Sequence, residues 1–528
     1  MTESPVLIQG QWRKSKSSGT FQAENPATMQ PLDGTYPISG WEDCDEALDA
    51  AAEAAHALQQ MPSERIAIFL ETYANQIEAS RDKLVELAHA ETALPKTPRL
   101  ADVELPRTTT QLRLAAAAAR DNSWVQATID SQANIRSMYG PLGPVCVFGP
   151  NNFPFAFGSI SGGDFAAALG AGNPVIAKAN SSHPGTTRLF AEAAQRAAEE
   201  TDMPPGTVQL IYRTPHDVGA QLVSDPRVGA TGYTGSRSAG LKLKTAADAA
   251  GKPIYLELSS VNPVILLPGV LRERLEDLAS EFTSSCLMGA GQFCTNPGMI
   301  ILIQSAESEA FIKSVSEKFA SAPIGTLLSK SVSISLETNL KILQDAGAQC
   351  LTGNASGGGA GYSHANALLS ISGKEFLGNP ATMQTEAFGN SSLFVIAENI
   401  REACDILTYL EGNLTGCIYS AANGEDDPEY DRLAPLLRSK VGRLLNDKMP
   451  TGVAVSSAMN HGGPFPATGH AGFTAVGIPA AMNRFAALQC YDNIRPHRLP
   501  DLLADKNPTG QMWRLIDGTW STADVSIS

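Results

Sequence analysis

Between residues 141 and 257 one unit recurs: a short apolar run that stops on a polar residue or glycine, then a stretch of helical character. Pro144-Val145-Cys146-Val147-Phe148-Gly149 leads into Asn151-Asn152-Phe153-Pro154 and small residues through Leu169. Asn173-Pro174-Val175-Ile176-Ala177-Lys178 leads into Ser181-Ser182-His183-Pro184-Gly185, whose hydroxyls suit the start of a helix. Val208-Gln209-Leu210-Ile211-Tyr212 and Gly229-Ala230-Thr231-Gly232-Tyr233 continue the series. Strands that alternate with helices imply an α/β fold with a parallel sheet covered on both faces. Ligands of such sheets bind beyond the carboxyl ends of the strands. Asn152, Lys178 and Thr234-Gly235-Ser236 fall there.

The rest of the chain bounds the options. Its 528 residues allow two or three domains with a large core. A net charge of −15 argues against nucleic acid or an acidic membrane surface as partner, so an anionic ligand must be held by local groups. The eight cysteines are scattered without a CxxC pair, which reads as reduced thiols with no structural metal site. The N-terminal text Met1-Thr2-Glu3-Ser4-Pro5 does not read as a secretory signal, and no apolar run approaches the roughly 18 residues of a membrane span. A cytoplasmic location is expected.

Helical periodicity is clear through residues 43–55 and 63–78. A third helix, about 102–120, must hold Pro106 in its first turn. Glu104, Arg107 and Gln111 then share one face. Two readings stay open for that stripe: a solvated surface, or a pocket wall in which Arg107 holds a substrate carboxylate. Residues 124–138 begin with alternating apolar and polar residues, the pattern of an exposed ribbon that oligomerisation would cover.

Phosphate-binding signatures of the GxGxxG and GxxxxGK[ST] type are missing. What remains is Tyr233-Thr234-Gly235-Ser236, a strand running through glycine into a helix that can offer backbone N–H groups to a phosphate. Further on, Gly289-Ala290-Gly291-Gln292-Phe293-Cys294-Thr295-Asn296 sets a cysteine among small and polar residues. Glu257 lies 37 positions earlier, and a carboxylate can take a proton beside a thiol nucleophile.

These segments, with Ala171-Gly172-Asn173-Pro174 and Glu386-Ala387-Phe388-Gly389, resemble the aldehyde dehydrogenase superfamily in order and spacing over essentially the whole chain. The resemblance implies roles. Cys294 attacks the aldehyde carbon, and Asn152 with the backbone N–H of Cys294 holds the oxyanion. Glu257 activates water against the thioester. Lys178 and Glu386 hold cofactor ribose hydroxyls, Gly235 and Ser236 face its phosphates, and Phe388 packs at the nicotinamide end. The implied architecture is a Rossmann-type cofactor domain (1–120 and 142–257), an α/β catalytic domain (258–475), a β-ribbon oligomerisation arm (121–141 and 485–505) and a polar C-terminal tail (506–528). A homodimer or homotetramer follows from the same resemblance.

Three departures narrow the reading. Ser181 stands where many NAD-preferring members carry a ribose-binding glutamate. With His183, Arg213 and His216 as possible neighbours, this favours NADP, with NAD as the alternative. Ser259-Ser260 replace a common glycine pair beside the general base. Met459-Asn460-His461-Gly462-Gly463-Pro464-Phe465, together with Arg107 to Arg113, is similar to the branch that oxidises 2,5-dioxovalerate (α-ketoglutaric semialdehyde) and to NADP-linked fatty aldehyde dehydrogenases. For the keto acid aldehyde, Arg107 is the expected clamp, Phe465 one aromatic wall and Phe153 or Phe157 the other. The competing readings are a broad or fatty aldehyde dehydrogenase, an acylating reductase (which needs no Glu257) and a non-catalytic scaffold.

Overall fold

The computed structural model describes residues 3–526, and three sheets organise them. In the first, five parallel strands stand in the spatial order Ile254–Glu257, Ala230–Thr234, Val145–Phe148, Val175–Lys178, Val208–Ile211. The hairpin Val6–Ile8 and Gln11–Arg13 extends one edge antiparallel. Helices cover both faces, which is why strands such as Val145–Phe148 and Val208–Ile211 are buried at every residue and read as unbroken apolar text. The first strand in sequence, Val145–Phe148, is central, and later strands add to either side. The order therefore reverses between it and Ala230–Thr234, the place where ligands of such sheets collect. Lys178 pairs across to Phe148 and Ile211, and Thr234 to Glu257, so these strand ends form one polar rim.

The helix expected near 102–120 is observed at Leu105–Asp121, entered directly from a wide π-helical segment, Lys96–Glu104. Pro106 sits in the first turn, where its missing N–H costs nothing. The polar stripe on this helix is not solvated. Glu104 and Gln111 are almost fully buried; Glu104 accepts from the N–H groups of Phe155 and Ala156, and Gln111 donates to the Ala156 carbonyl. The stripe thus fixes the loop that carries Asn152 and Phe153.

The helix Pro184–Glu200 is not capped by Ser181 or Ser182. The buried carboxylate of Glu91 takes that place, accepting from the N–H groups of Gly185 and Thr186 at 2.8 Å each and from the Thr186 hydroxyl at 2.7 Å. A carboxylate there also complements the helix dipole.

The second sheet begins six residues after the first ends. Its strands run Gln349–Thr352, Ala367–Ser372, Ser391–Ala397, Met299–Ile303, Pro263–Leu266, Asn413–Tyr419, Val441–Asn446, parallel except at the first edge. Glu257 therefore ends the last strand of one sheet, and Cys294 lies in the loop that precedes a central strand of the other.

The third sheet contains the hairpin Thr128–Asp130 and Ile135–Pro141, flanked by Ala486–Asp492. It corrects one expectation. Residues 506–528 are not a free polar tail: Arg514–Ile516 pairs with Thr128–Asp130, and Thr519–Ser521 pairs with Arg514–Ile516. Arg514 is fully buried, its guanidinium donating to the carbonyls of Ala504, Asp505 and Ala523. Three-residue strands with a charged residue inside lack the alternation that marks a strand in sequence. The last two residues of that range, 527 and 528, lie outside the described part. Among the described residues no helix is long and apolar enough to cross a membrane.

Candidate active site

The loop bearing Cys294 is held from below. Asn262, in the crossover between the two sheets, adopts φ 50°, a left-handed conformation that asparagine tolerates. Its side-chain amide donates to the carbonyls of Cys294 and Asn296, both at 2.9 Å. Asn262 is fixed in turn by Ser260 and Thr415, and the Asn413 amide oxygen accepts from Ser260 Oγ and the N–H groups of Val261 and Asn262. The serine pair therefore does more than narrow the space beside Glu257. Ser260 belongs to this knot and also donates its N–H to Glu386 at 3.2 Å.

Above the loop, Cys294 Sγ is 3.4 Å from His461 Nε2, and the same nitrogen is 2.9 Å from Glu257 Oε1. His461 and Glu257 are 1% and 2% exposed, whereas Cys294 is partly open. Burial alone would push the imidazole pKa down, but the facing Glu257 and Cys294 side chains outweigh it and raise it to about 10. His461 thus sits between a carboxyl group and the sulfur, an arrangement that favours its charged form. His461 stands in a loop whose sequence carries no local motif for this role. Its sites of contact are 167 and 204 residues away. The flanking Gly462-Gly463 was the available signal: a Cβ at either would strike the Phe473 or Asn413 carbonyl oxygen at 2.0 and 2.2 Å, so only glycines let the loop press in.

Asn152 is buried, and its amide donates to the Gln292 carbonyl at 3.0 Å, two residues before the thiol. An amide carries two N–H bonds, so one remains for an oxyanion. The backbone N–H of Cys294 donates to no acceptor among the described residues. Arg99, which the sequence did not single out, braces this corner. It donates to the Asn152 carbonyl at 2.9 Å, pairs with Glu104 at 3.3 Å, and lies 4.1 and 4.6 Å from the ring centres of Phe153 and Phe293.

The apolar wall is Phe153, Ala156, Phe157, Phe293, Val453, Phe473, Ala475 and Val476. Phe153 and Phe157 both lie in this cluster, edge to face at 5.2 Å. Phe465 does not. It is 61% exposed and outside the cluster, and the aromatic ring that packs there from the same loop is Phe473. Arg107 reaches the wall. Its guanidinium lies 5.1 Å from the Phe157 ring centre and donates to the Val453 carbonyl, while Nε and the second terminal nitrogen are buried without a partner. Burial lowers its pKa, opposed by Cys294, Glu104 and Glu257. A buried guanidinium with idle N–H groups is costly unless an anion arrives.

The rim of the first sheet differs in kind. Lys178 has no carboxylate partner among the described residues, lies 5.7 Å from the Phe148 ring centre, and is pushed down to about 8 by burial and by Arg213 nearby. Ser181 is half-buried and Arg213 exposed. His183 is turned away from any ligand: it is 1% exposed, its Nε2 is 3.0 Å from the Pro150 carbonyl, and burial pushes its pKa down to about 4. His216 is exposed at the start of its own helix. Ser236 is the N-cap of Arg237–Ala249 with no side-chain cap bond, so that helix offers unused N–H groups. A Cβ at Gly235 would meet the Tyr233 hydroxyl at 2.7 Å. Glu386 is tethered by the Ser260 N–H and raised to about 7, burial outweighing its hydrogen bonds and Arg237. Phe388 is half-buried against the main core. A lysine without a carboxylate partner among the described residues, an open helix N-terminus and a tethered carboxyl group together fit a nicotinamide dinucleotide.

Comparison with known proteins agrees with this geometry. The profile of the aldehyde dehydrogenase family matches residues 12–435. The chain is 38% identical to α-ketoglutaric semialdehyde dehydrogenase 2 of Azospirillum brasilense, over 95% of this chain and 96% of that protein. It is 36% identical to the α-ketoglutaric semialdehyde dehydrogenase of Acinetobacter baylyi, over 97% and 98%. Among solved structures, the lactaldehyde dehydrogenase from Escherichia coli superposes with a TM-score of 0.78 at 22% identity, covering 93% of this chain and 98% of that one. An NAD+ complex of a Bacillus cereus aldehyde dehydrogenase gives 0.79 at 18%, covering 93% and 96%. The chain belongs to the aldehyde dehydrogenase family. It is an NAD(P)-dependent enzyme that oxidises aldehydes.

Proposed function

We propose that this enzyme oxidises 2,5-dioxopentanoate, the semialdehyde of 2-oxoglutarate, to 2-oxoglutarate. The observation that carries the reading is Arg107: a buried guanidinium with two unpartnered nitrogens, set in an otherwise apolar wall beside the reacting thiol. A plain alkyl aldehyde would leave those N–H groups unsatisfied, whereas the carboxylate of a keto acid can take both. The names of the Azospirillum and Acinetobacter relatives support the same substrate.

In this reading the imidazolium of His461 keeps Cys294 as thiolate, ready to attack the aldehyde carbon. The spare Asn152 N–H and the free N–H of Cys294 hold the oxyanion. When bound, the nicotinamide cofactor supplies the hydride acceptor. The resulting thioester on Cys294 is hydrolysed by a water that loses its proton to Glu257, and the thiolate departs back into contact with His461. Lys178, Ser181, Gly235, Ser236, Glu386 and Phe388 hold the cofactor. NADP is the preferred form, because Ser181 brings no carboxylate against a 2′-phosphate while Lys178 and Arg213 bring two cations. The first sheet serves as cofactor domain, the second as catalytic domain and the third as the arm of a cytoplasmic homo-oligomer, whose open edge strand Ala486–Asp492 carries the exposed Leu488.

Initial rates of NADPH formation with 2,5-dioxopentanoate and with hexanal, for wild type and Arg107→Ala, test the substrate. A preference for the dioxo acid that falls by roughly 10- to 100-fold in the variant, mostly through KM, is expected from the loss of a charged hydrogen-bond pair. A preference for hexanal that ignores the substitution would replace this reading with a broad or fatty aldehyde dehydrogenase.

A further inference from the structure

We infer that Cys294, His461 and Glu257 also form a binding site for a thiophilic divalent cation, zinc foremost, and that its occupation shuts the enzyme off reversibly. The inference rests on the reading of these three residues as the catalytic centre.

Three donors of the right chemistry converge on one point. Sulfur, imidazole nitrogen and carboxylate oxygen are the ligands zinc takes, at about 2.3, 2.0–2.1 and 2.0–2.2 Å. A tetrahedral ion with such bonds separates its ligand atoms by about 3.3 to 3.6 Å. Here sulfur and nitrogen are 3.4 Å apart, nitrogen and oxygen 2.9 Å, and all three ligand atoms lie within 4.8 Å of one another. His461 Nε2 faces both the sulfur and the carboxylate oxygen at once, at the centre of the set. Completing the three-ligand set asks the nitrogen and oxygen to part slightly and the sulfur and oxygen to close by up to about 1 Å.

The surroundings favour a cation held in place. Glu257 and His461 are buried, and the second oxygen of Glu257 has no hydrogen-bond partner. The ligands come from three well-fastened segments: a strand end, the loop tied down by Asn262, and the glycine-pinned loop of His461. A thiolate and a carboxylate balance the double charge. Arg107 opposes the cation at longer range, but its bonded partner is a carbonyl, so no ion pair must break. The fourth position opens on the partly exposed side of Cys294, as in zinc sites with three protein ligands and a water. Once coordinated, the sulfur lone pair that would attack the carbonyl is committed to the metal. Aldehyde and metal then exclude each other, and the thiol is shielded from alkylation and oxidation.

The experiment is a titration of the metal-free, full-length enzyme with ZnCl2 in competition with a chromophoric chelator, and with CoCl2 as the spectroscopic stand-in. One zinc per chain is expected, with inhibition competitive against aldehyde and reversed by EDTA, and a thiolate-to-cobalt charge-transfer band. His461→Asn and Glu257→Gln should each weaken zinc by at least about tenfold, as loss of one of three ligands demands. Cys350→Ser, which removes an exposed thiol elsewhere, should change nothing. Absence of the cobalt band in wild type, or zinc affinity indifferent to both ligand substitutions, overturns the inference. Iodoacetamide separates this failure from failure of the catalytic reading. Rapid alkylation of Cys294 in metal-free enzyme that zinc does not slow removes the metal site alone. Slow alkylation without metal removes the catalytic reading.

Discussion

The thiol site and the cofactor rim are built on opposite plans. At the thiol site nearly every polar atom already has a partner within the protein: Cys294 and Glu257 on His461, Asn262 under the loop, Arg99 behind Asn152. Among the described residues the clearest exceptions are the Arg107 guanidinium and the second oxygen of Glu257. Along the rim of the first sheet the polar groups are instead idle. Among the described residues Lys178 has no carboxylate partner and the helix at Arg237 has no side-chain cap. A closed network prepares chemistry by fixing protonation states, and an open row of donors prepares binding. Arg107 behaves like the rim, and it is the group assigned to hold substrate.

The largest effect should come from the centre of the closed network. Cys294→Ser should lower kcat by at least about a thousandfold, because a serine hydroxyl gains little from an imidazolium neighbour. Glu257→Gln should separate two roles. If the carboxylate acts only as base on water, the variant should still give a burst of one NADPH per chain and then stall. If holding His461 charged matters as much, the burst itself should slow. Stopped-flow absorbance decides between them, and an unchanged steady state would break the comparison altogether.

The rim should answer more gently and selectively. Ser181→Glu should raise the KM for NADP about tenfold or more through repulsion of a 2′-phosphate and leave that for NAD nearly unchanged. Paired cofactor titrations read this directly. An equal change for both cofactors would mean that Ser181 does not face the ribose. Lys178 belongs to the same expectation: its pKa lies near 8, so its help in holding a phosphate should fade as pH rises through that value.

The difference between the two regions also explains what the sequence could disclose. Rim residues lie at the ends of periodic strands, so the pattern that announces a parallel sheet also places Lys178 and Ser236. Cys294 and Glu257 were legible because they sit within short motifs. His461 has no such local signature; it acquires its role by crossing between two sheets to residues far away in the chain. Phe465 and Phe473 are both aromatic residues in one irregular loop, and only packing says which turns inward. His183 stood beside Ser181 in sequence, yet the turn before Pro184 points it into the core. The last strands were hidden by their brevity and by Arg514, a charged residue satisfied by three carbonyls that nothing local could foretell.

The most direct test of the closed network is the rate of iodoacetamide alkylation of Cys294 across pH 6 to 10 in metal-free wild type and His461→Asn. Because the folded pKa of His461 is raised to about 10, the imidazolium that supports the thiolate is present throughout the lower part of this range and is lost only as pH rises through its upper end. The account predicts fast, nearly pH-independent alkylation of the wild type at neutral pH. The variant should be slower there by about a hundredfold, its rate climbing with pH as an ordinary thiol near 8.5 ionises. Superimposable profiles for the two proteins would contradict the account, leaving His461 as a packing residue and Cys294 without the support on which its chemistry is argued here to depend.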